Sequence, residues 1–145
     1  MRSVIVFLLL LTVNVVSRAL FRLRREWVGK VPADPFANLR VVCILNHTSL
    51  YEPLLAGFAP LRLLWQFARH GVLPVAEKTI RRTIGLFFRF IVRHVVVVTR
   101  QRDHTWERLL TKVDDRALVA ILPEGRMKRR NGLDAHGRPM TVRGG

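Results

Sequence analysis

The chain has 145 residues, 50% of them hydrophobic, and carries 25 Lys and Arg against 10 Asp and Glu, which gives a net charge of +15. Its length suits one compact domain with one additional membrane segment and excludes two full domains. The hydrophobic half can bury a core, which excludes ordinary intrinsic disorder. The single cysteine, Cys43, excludes an internal disulfide and a cysteine-based zinc site. So large a positive charge requires an anionic partner, and nucleic acid, an anionic lipid surface and phosphorylated small molecules all qualify.

The N-terminus contains an apolar run from Val4 to Val16, interrupted by Thr12 and Asn14 and followed by a cluster of arginines. A membrane span needs roughly 20 apolar residues, whereas about 10 to 14 are typical of an interfacial or signal-peptide segment. Because the arginines follow the run, residues 1–30 are predicted to be a retained membrane anchor with the rest of the chain on the cytoplasmic side. A cleaved signal peptide and a core helix are the alternatives. Residues 19–27 are amphipathic and predict a helix that lies on lipid headgroups.

The rest of the chain, residues 36–145, alternates short apolar runs with segments of helical length. The predicted strands are 39–45, 61–67, 94–99 and 117–122, and the predicted helices are 50–58, 79–91 and 104–113. This alternation predicts an α/β domain with a mostly parallel sheet flanked by helices. Ligands of such sheets bind beyond the carboxyl ends of the strands, so the loops after Leu45, Thr99 and Leu122 are predicted to carry the function. The arginines of 79–91 fit either a core helix with a solvated edge or a second membrane contact.

A histidine and a carboxylate lie directly after the first predicted strand, in the segment 46–52. His47, whose ordinary pKa is about 6.5, can act as a general base at neutral pH, and Glu52 can fix its tautomer and stabilise the imidazolium. On one continuous helix the two side chains would diverge by roughly 140°, so they meet only if the helix starts after His47. The alternative interpretation is a capping box formed by Ser49 and Glu52, beside a loop histidine that has no task.

Charged residues also follow two later predicted strands. Arg100 comes directly after the strand 94–99, where it can bind a phosphate or be a solvated loop residue. After Pro123 the turn carries Glu124, Gly125 and Arg126. The glycine permits a sharp turn or the close approach of a ligand, and the alternative is an ordinary turn with surface charges.

In order and spacing, these motifs resemble those of the glycerophospholipid acyltransferases, which act on glycerol-3-phosphate and 1-acylglycerol-3-phosphate. The motifs are Asn46-His47 with Glu52, Arg100 at a strand end, Leu-Pro-Glu-Gly-Arg at 122–126 and Val-Arg-Gly-Gly at 142–145. The resemblance covers residues 39–145. Domains of that family continue past the Arg-Gly-Gly element with another strand and helices, so we expect the domain here to be incomplete at its C-terminus.

The resemblance implies a role for each motif residue. His47 is the base that deprotonates the acceptor hydroxyl, and Glu52 is the acid that orients it. Acceptor binding falls on Arg100, Glu124, Gly125 and Arg126, with the arginines facing its phosphate. The deprotonated hydroxyl attacks the thioester of acyl-CoA or acyl carrier protein, which is a co-substrate, and no metal or bound cofactor is implied.

The activity expected from the resemblance is that of a membrane-associated O-acyltransferase of phospholipid biosynthesis. Its acceptor is a lysophospholipid or a glycerol phosphate, its further partners are anionic membrane lipids, and its location is the cytoplasmic face of a membrane, the inner membrane in a bacterium. A protein of the same fold that binds lipid or a partner without catalysis is one alternative. A basic nucleic-acid-binding module is another, although it leaves the apolar N-terminus without a use, and nucleic acid is not the expected partner.

Overall fold

The structure is a computed structural model of the chain. It describes residues 1–22, 24–45, 52–99, 101, 103–123, 133 and 137–139, without the side chains of residues 52, 53, 55, 83 and 84.

The centre of the fold is a four-stranded sheet in the order β1-β4-β2-β3. The strands are β1 (Val41–Cys43), β2 (Gly71–Ala76), β3 (His94–Val98) and β4 (Leu118–Ile121). All pairs of neighbouring strands are parallel. The predicted α/β class with a mostly parallel sheet is therefore confirmed, and the predicted strands 39–45, 94–99 and 117–122 each contain one of the observed strands.

Helices cover both faces of this sheet. They are α1 (Arg2–Leu20), α2 (Leu61–His70), α3 (Glu77–Ile80), α4 (Thr83–Ile91) and α5 (His104–Leu110), with a 3₁₀ helix at Glu52–Phe58. Successive strand residues point to opposite faces, and β2 illustrates this alternation. Leu73 and Val75 face a core shared with α1, α2 and α4. Val72 faces a second core in which Leu109 of α5 and Val96 of β3 are buried.

The N-terminal helix α1 packs along its side against the 3₁₀ helix, α2 and α4. Val6, Leu10, Asn14 and Ser17 are buried in this contact and recur every three or four residues, which places them on one helical face. No side chain caps the N-terminus of α1. Packing against the rest of the domain therefore stabilises the helix more than its ends do.

Only one side of α1 is covered. Among the described residues it is the one helix long and apolar enough to cross a membrane, with a mean hydropathy of 2.2, although core helices and signal sequences also meet this criterion. Just 22% of its most apolar stretch is buried. Large apolar side chains stay exposed on the outer side, among them Val4, Ile5, Leu8, Val15 and Leu20.

The structure corrects the prediction of a strand at 61–67. This segment begins helix α2, in which Leu64 and Ala68 are buried four residues apart, as expected for one face of a helix. The second strand in chain order is instead β2, which was not predicted and which contains Pro74. A proline disfavours a central strand. Here β2 pairs with β4 only at Gly71 and Val72, before the proline.

The predicted helix 79–91 is broken into two helices by a turn at Arg81 and Arg82. Gly85 allows this, because a Cβ atom there would lie 2.3 Å from the carbonyl oxygen of Ile80. With hydrogen in its place, α4 folds back closely on α3. The predicted helix 50–58 is a 3₁₀ helix over Glu52–Phe58, and residues 50 and 51 lie outside the described residues.

The prediction of a helix over residues 19–27 is also wrong. The helix ends at Leu20, and Phe21 has an extended backbone. Beyond it, Arg25 donates a hydrogen bond to the carbonyl oxygen of Phe58 and lies 5.5 Å from the ring centroid of Phe36. Trp27 packs edge to face on the same ring at 6.0 Å. These contacts hold the segment against the domain in a conformation that is not helical.

Candidate active site

The carboxyl ends of the strands meet at one edge of the sheet, because every neighbouring pair is parallel. Beyond the last residue of β1, the amide of Ile44 donates to the carbonyl oxygen of Ile121 at 2.9 Å. The chain therefore leaves β1 and β4 side by side. Val98, the last residue of β3, lies at the same edge, two strands away from β4 or about 10 Å at the usual strand spacing.

The predicted site residues follow these strand ends along the chain. His47, Arg100, Glu124, Gly125 and Arg126 lie outside the described residues. The backbone of Glu52 is described and begins the 3₁₀ helix, whereas its side chain is not described. The structure therefore brings together the carboxyl ends of the three strands that precede the motifs.

The N-terminal segment holds the end of the 3₁₀ helix through three side chains. The Nδ2 atom of Asn14 donates to the carbonyl oxygens of Ala56 at 2.6 Å and Ala59 at 3.2 Å. Arg18 donates from Nε to the carbonyl oxygen of Gly57 at 3.0 Å. Arg25 donates to the next carbonyl, that of Phe58. Four consecutive carbonyls at the end of this helix, those of residues 56–59, therefore receive side-chain donors from the start of the chain. The carbonyl of Ala56 also accepts the backbone amide of Ala59 at 3.0 Å.

Asn14 is the centre of this contact and is only 3% exposed. A buried amide costs free energy unless it is hydrogen-bonded, so its two bonds make the docking of α1 specific in position. The sequence contained the signal, because Asn14 interrupts an otherwise apolar run. The pattern did not identify the partner of this amide, which lies 42 residues away at Ala56.

The loop between β3 and α5 is closed by a second network. Asp103 caps α5, accepting the backbone amide of Thr105 at 2.9 Å and the hydroxyl of Thr99 at 2.7 Å. The Thr105 hydroxyl also donates to Asp103 at 2.5 Å, and the indole of Trp106 donates to the carbonyl oxygen of Thr99 at 3.1 Å. Thr99 is thereby fixed at the carboxyl end of β3.

These hydrogen bonds determine the ionisation of Asp103. The side-chain hydrogen bonds from Thr105 and Thr99, followed by the backbone amide of Thr105, lower the pKa of this carboxyl from 3.8 to about 2. Donors that bond to a carboxylate favour its charged form. Asp103 is therefore a charged structural cap, and it does not have the raised pKa that a general acid at neutral pH needs.

Among the side chains that the structure describes, no group of three or more His, Cys, Asp and Glu residues could hold a metal ion. Cys43 at the end of β1 is exposed and is a free thiol.

Comparison with known proteins adds no assignment: no protein-family model, no curated protein and no solved structure matches the chain. The resemblance to the glycerophospholipid acyltransferases therefore rests on the sequence motifs alone. The α/β fold rests on the structure.

Proposed function

We propose that the protein is a membrane-associated O-acyltransferase, which transfers a fatty acyl group from acyl-CoA or acyl carrier protein to the hydroxyl of a lysophospholipid or a glycerol phosphate. One observation supports this most strongly. The strands that precede the three motifs are parallel and end at one edge of the sheet, and the exits of β1 and β4 are joined by the hydrogen bond from Ile44 to Ile121. This is the edge at which α/β sheets bind ligands.

The chemistry needs few catalytic groups. In the proposed reaction, the acceptor oxygen bonds to the thioester carbonyl carbon while its proton passes to the imidazole of His47. The tetrahedral intermediate then expels the thiolate, which takes up a proton from the imidazolium. Glu52 orients the imidazole, and Arg100 and Arg126 hold the acceptor phosphate. A thioester is already activated, so a positioned base and a held acceptor are sufficient without a covalent nucleophile.

The membrane part of the proposal is supported by the outer surface of α1. Lysolipid acceptors and their products reside in a bilayer, and α1 leaves most of its apolar surface uncovered. Helix α4, which packs beside α1, also exposes Leu86, Phe87 and Phe90. Basic residues close to both helices, such as Arg22 and Arg82, suit an anionic lipid surface.

The test of the reaction is thiol release from acyl-CoA or acyl carrier protein with lysophosphatidate or glycerol-3-phosphate as acceptor. We expect His47→Ala to lower kcat by about 10² to 10⁴, the usual contribution of a general base. Glu52→Gln should lower it less, because the imidazole remains. The control is His104→Ala, which removes an exposed imidazole at the start of α5. Equal rates in the wild type and all three variants would refute the mechanism.

The arginines have a different kinetic signature. Arg100→Ala or Arg126→Ala should raise the acceptor KM by about ten- to a hundredfold, because a hydrogen bond to a charged group contributes about 1.5 to 3 kcal/mol and holds ground state and transition state alike. The KM for the acyl donor should stay unchanged. A fall in kcat with an unchanged acceptor KM would contradict phosphate binding by these residues.

A second candidate function is lipid binding without catalysis. The exposed apolar side of α1 favours it equally, because that surface does not depend on His47. A protein that floats with liposomes but releases no thiol with either acceptor and either donor would support this candidate.

A further inference from the structure

A basic cavity lies at the amino edge of the sheet, opposite the edge with the candidate active site. Its volume is about 220 Å³. It is lined by Arg69, His70, Arg93, His94, Lys112 and Asp114. These residues come from the end of α2, the start of β3 and the segment between α5 and β4.

Three lining residues carry a permanent positive charge against one carboxylate. Oδ1 of Asp114 accepts the backbone amide of Arg116 at 2.8 Å, and the single charge of this carboxylate balances only one of the three cations. Of the cations, Arg93 donates to the Ser3 hydroxyl at 2.9 Å, and the guanidinium of Arg69 lies 5.9 Å from the ring centroid of Trp65. In the described part of the chain, neither these arginines nor Lys112 forms a salt bridge.

The end of α2 explains only part of this cluster. Cations near the C-terminus of a helix are favoured by its partial negative charge, which accounts for Arg69 and His70. Arg93 and Lys112 belong to other elements, and the helix end gives no reason for them to converge there. One carboxylate, that of Asp114, faces three permanent positive charges, so a net repulsion remains, and a bound anion would remove it.

The two imidazoles respond to the same surroundings. Burial, followed by the charge of Arg69, lowers the pKa of His70, and burial followed by Arg93 lowers that of His94. The further charges that act on them are Arg2, Arg93, Lys112 and Arg116, which lower these pKa values, and Asp114, which raises them. A bound anion would favour protonation of both rings, and each protonated ring presents additional N–H donors.

We propose that this cavity is a second binding site, separate from the candidate active site, and that it takes a phosphate group. The forked guanidinium of arginine matches the oxygens of a phosphate, and the ammonium of Lys112 adds a mobile donor. The volume accommodates a phosphate with a small organic group attached. The Arg93–Ser3 hydrogen bond joins the cavity to the first turn of α1. The phosphate group can therefore belong to a lipid headgroup beside α1 or to a soluble compound.

This proposal does not depend on acyltransferase activity, and the test is a binding measurement on the full chain in phosphatidylcholine nanodiscs. The imidazole ¹H–¹⁵N signals of His70 and His94 are followed at constant ionic strength in chloride. One arm titrates inorganic phosphate, and the other increases the fraction of phosphatidic acid in the nanodisc. His104, exposed at the start of α5, is the internal reference.

The variant Arg69→Gln/Lys112→Gln removes two exposed cations from the cavity, and Lys30→Gln/Lys78→Gln removes two exposed cations elsewhere. We expect saturable shifts of His70 and His94 in the wild type, an apparent Kd at least about tenfold higher in the cavity variant, and a change below about twofold in the control. A response to phosphatidic acid alone assigns the site to a lipid headgroup, and a response to inorganic phosphate assigns it to a free phosphate. No saturable shift in either arm, or equal loss in both variants, would overturn the proposal.

Discussion

Helices α1 and α5 are fixed to the domain in different ways. The shorter helix, α5, buries Leu109 in the second core and is also fixed at its end, where Asp103 caps it and binds Thr99 of the preceding loop. The longer helix, α1, has no side-chain cap and is fixed along its side by buried apolar residues and by Asn14. Both devices act next to chain segments that lead to the proposed motifs. A helix fixed by its side can leave its other side bare, and α1 does so.

The comparison is tested most strongly by two leucines of α1. Leu10 is 5% exposed and packs in the core, whereas Leu8 is 53% exposed. Leu10→Ala should lower the free energy of unfolding by about 2 to 5 kcal/mol through lost burial and a residual cavity, and Leu8→Ala should change it by less than about 0.5 kcal/mol. Denaturant unfolding in neutral detergent, followed by tryptophan fluorescence, measures both. Equal losses would mean that α1 is not held by one side.

The polar part of the same contact should give the next largest effect. Asn14→Ala removes the side-chain donor from the carbonyls of Ala56 and Ala59, of which, among the described residues, only Ala56 keeps a backbone donor, and this loss should cost about 1 to 3 kcal/mol. The matched control is Thr12→Ala, whose hydroxyl is exposed and bonds within α1 to Leu8. Under the proposed function, Asn14→Ala should also lower kcat in detergent conditions where the variant is folded, because it loosens the 3₁₀ helix that begins at Glu52. Unchanged stability would show that the amide makes no net contribution.

The exposed apolar side of α1 should affect how strongly the protein binds to membranes rather than its free energy of unfolding. Ile5→Ser/Leu8→Ser should weaken binding to anionic liposomes by about tenfold, given about 25 cal/mol per Å² of apolar surface, and leave unfolding nearly unchanged. The matched control is Leu110→Ser/Val113→Ser, which alters two exposed apolar residues at the end of α5 and just after it. Should both pairs weaken flotation equally, the membrane surface would not be that of α1.

The smallest effect is expected at the cap of α5 and depends on pH. The pKa of Asp103 is about 2 in the folded protein against 3.8 ordinarily, so its ionised form stabilises the fold above pH of about 4. That contribution is lost as the pH falls through the pKa that Asp103 has in the folded protein. Asp103→Asn should therefore lower the thermal midpoint at pH 6, and its difference from the wild type should shrink between pH of about 4 and 2. Asp115→Asn, at an exposed turn, is the control, and a constant difference across this range would contradict the assignment.

Local pattern was sufficient for much of the fold. The apolar runs at 39–45, 94–99 and 117–122 contain the short strands β1, β3 and β4, and the helix-length segments between them indicated parallel connections. Strand β1 lies at the edge of the sheet, and its residues Val41 and Cys43 are exposed. Local pattern was not sufficient where tertiary contacts decide between helix and strand. The apolar run after Pro60 has the length of a strand, and only the burial of Leu64 and Ala68 on one face shows a helix. Strand β2 was not predicted; it contains Pro74, a residue type that disfavours central strands, and it pairs with β4 only before the proline.

The edge of the sheet that leads to the candidate site was predictable for the same reason. Parallel strands align their carboxyl ends, so the strands that precede the motifs were expected to end at one edge, and the described strands do so. Which exits are neighbours depends on strand order, and the pairing of β1 with β4 could not be read from the sequence. The partners of Asn14 could not be predicted from the sequence either, because hydrogen bonds between residues more than forty positions apart produce no periodic pattern.

The reach of the Asn14 contact constrains the order in which the molecule can be assembled. A ribosome finishes α1 well before it adds Ala56 and Ala59, which follow Asn14 by 42 and 45 positions. During that interval the amide must find water or another temporary acceptor. At about 5 to 20 residues per second, synthesis of this stretch takes seconds, so the nascent N-terminal helix is available to other surroundings before its own domain captures it.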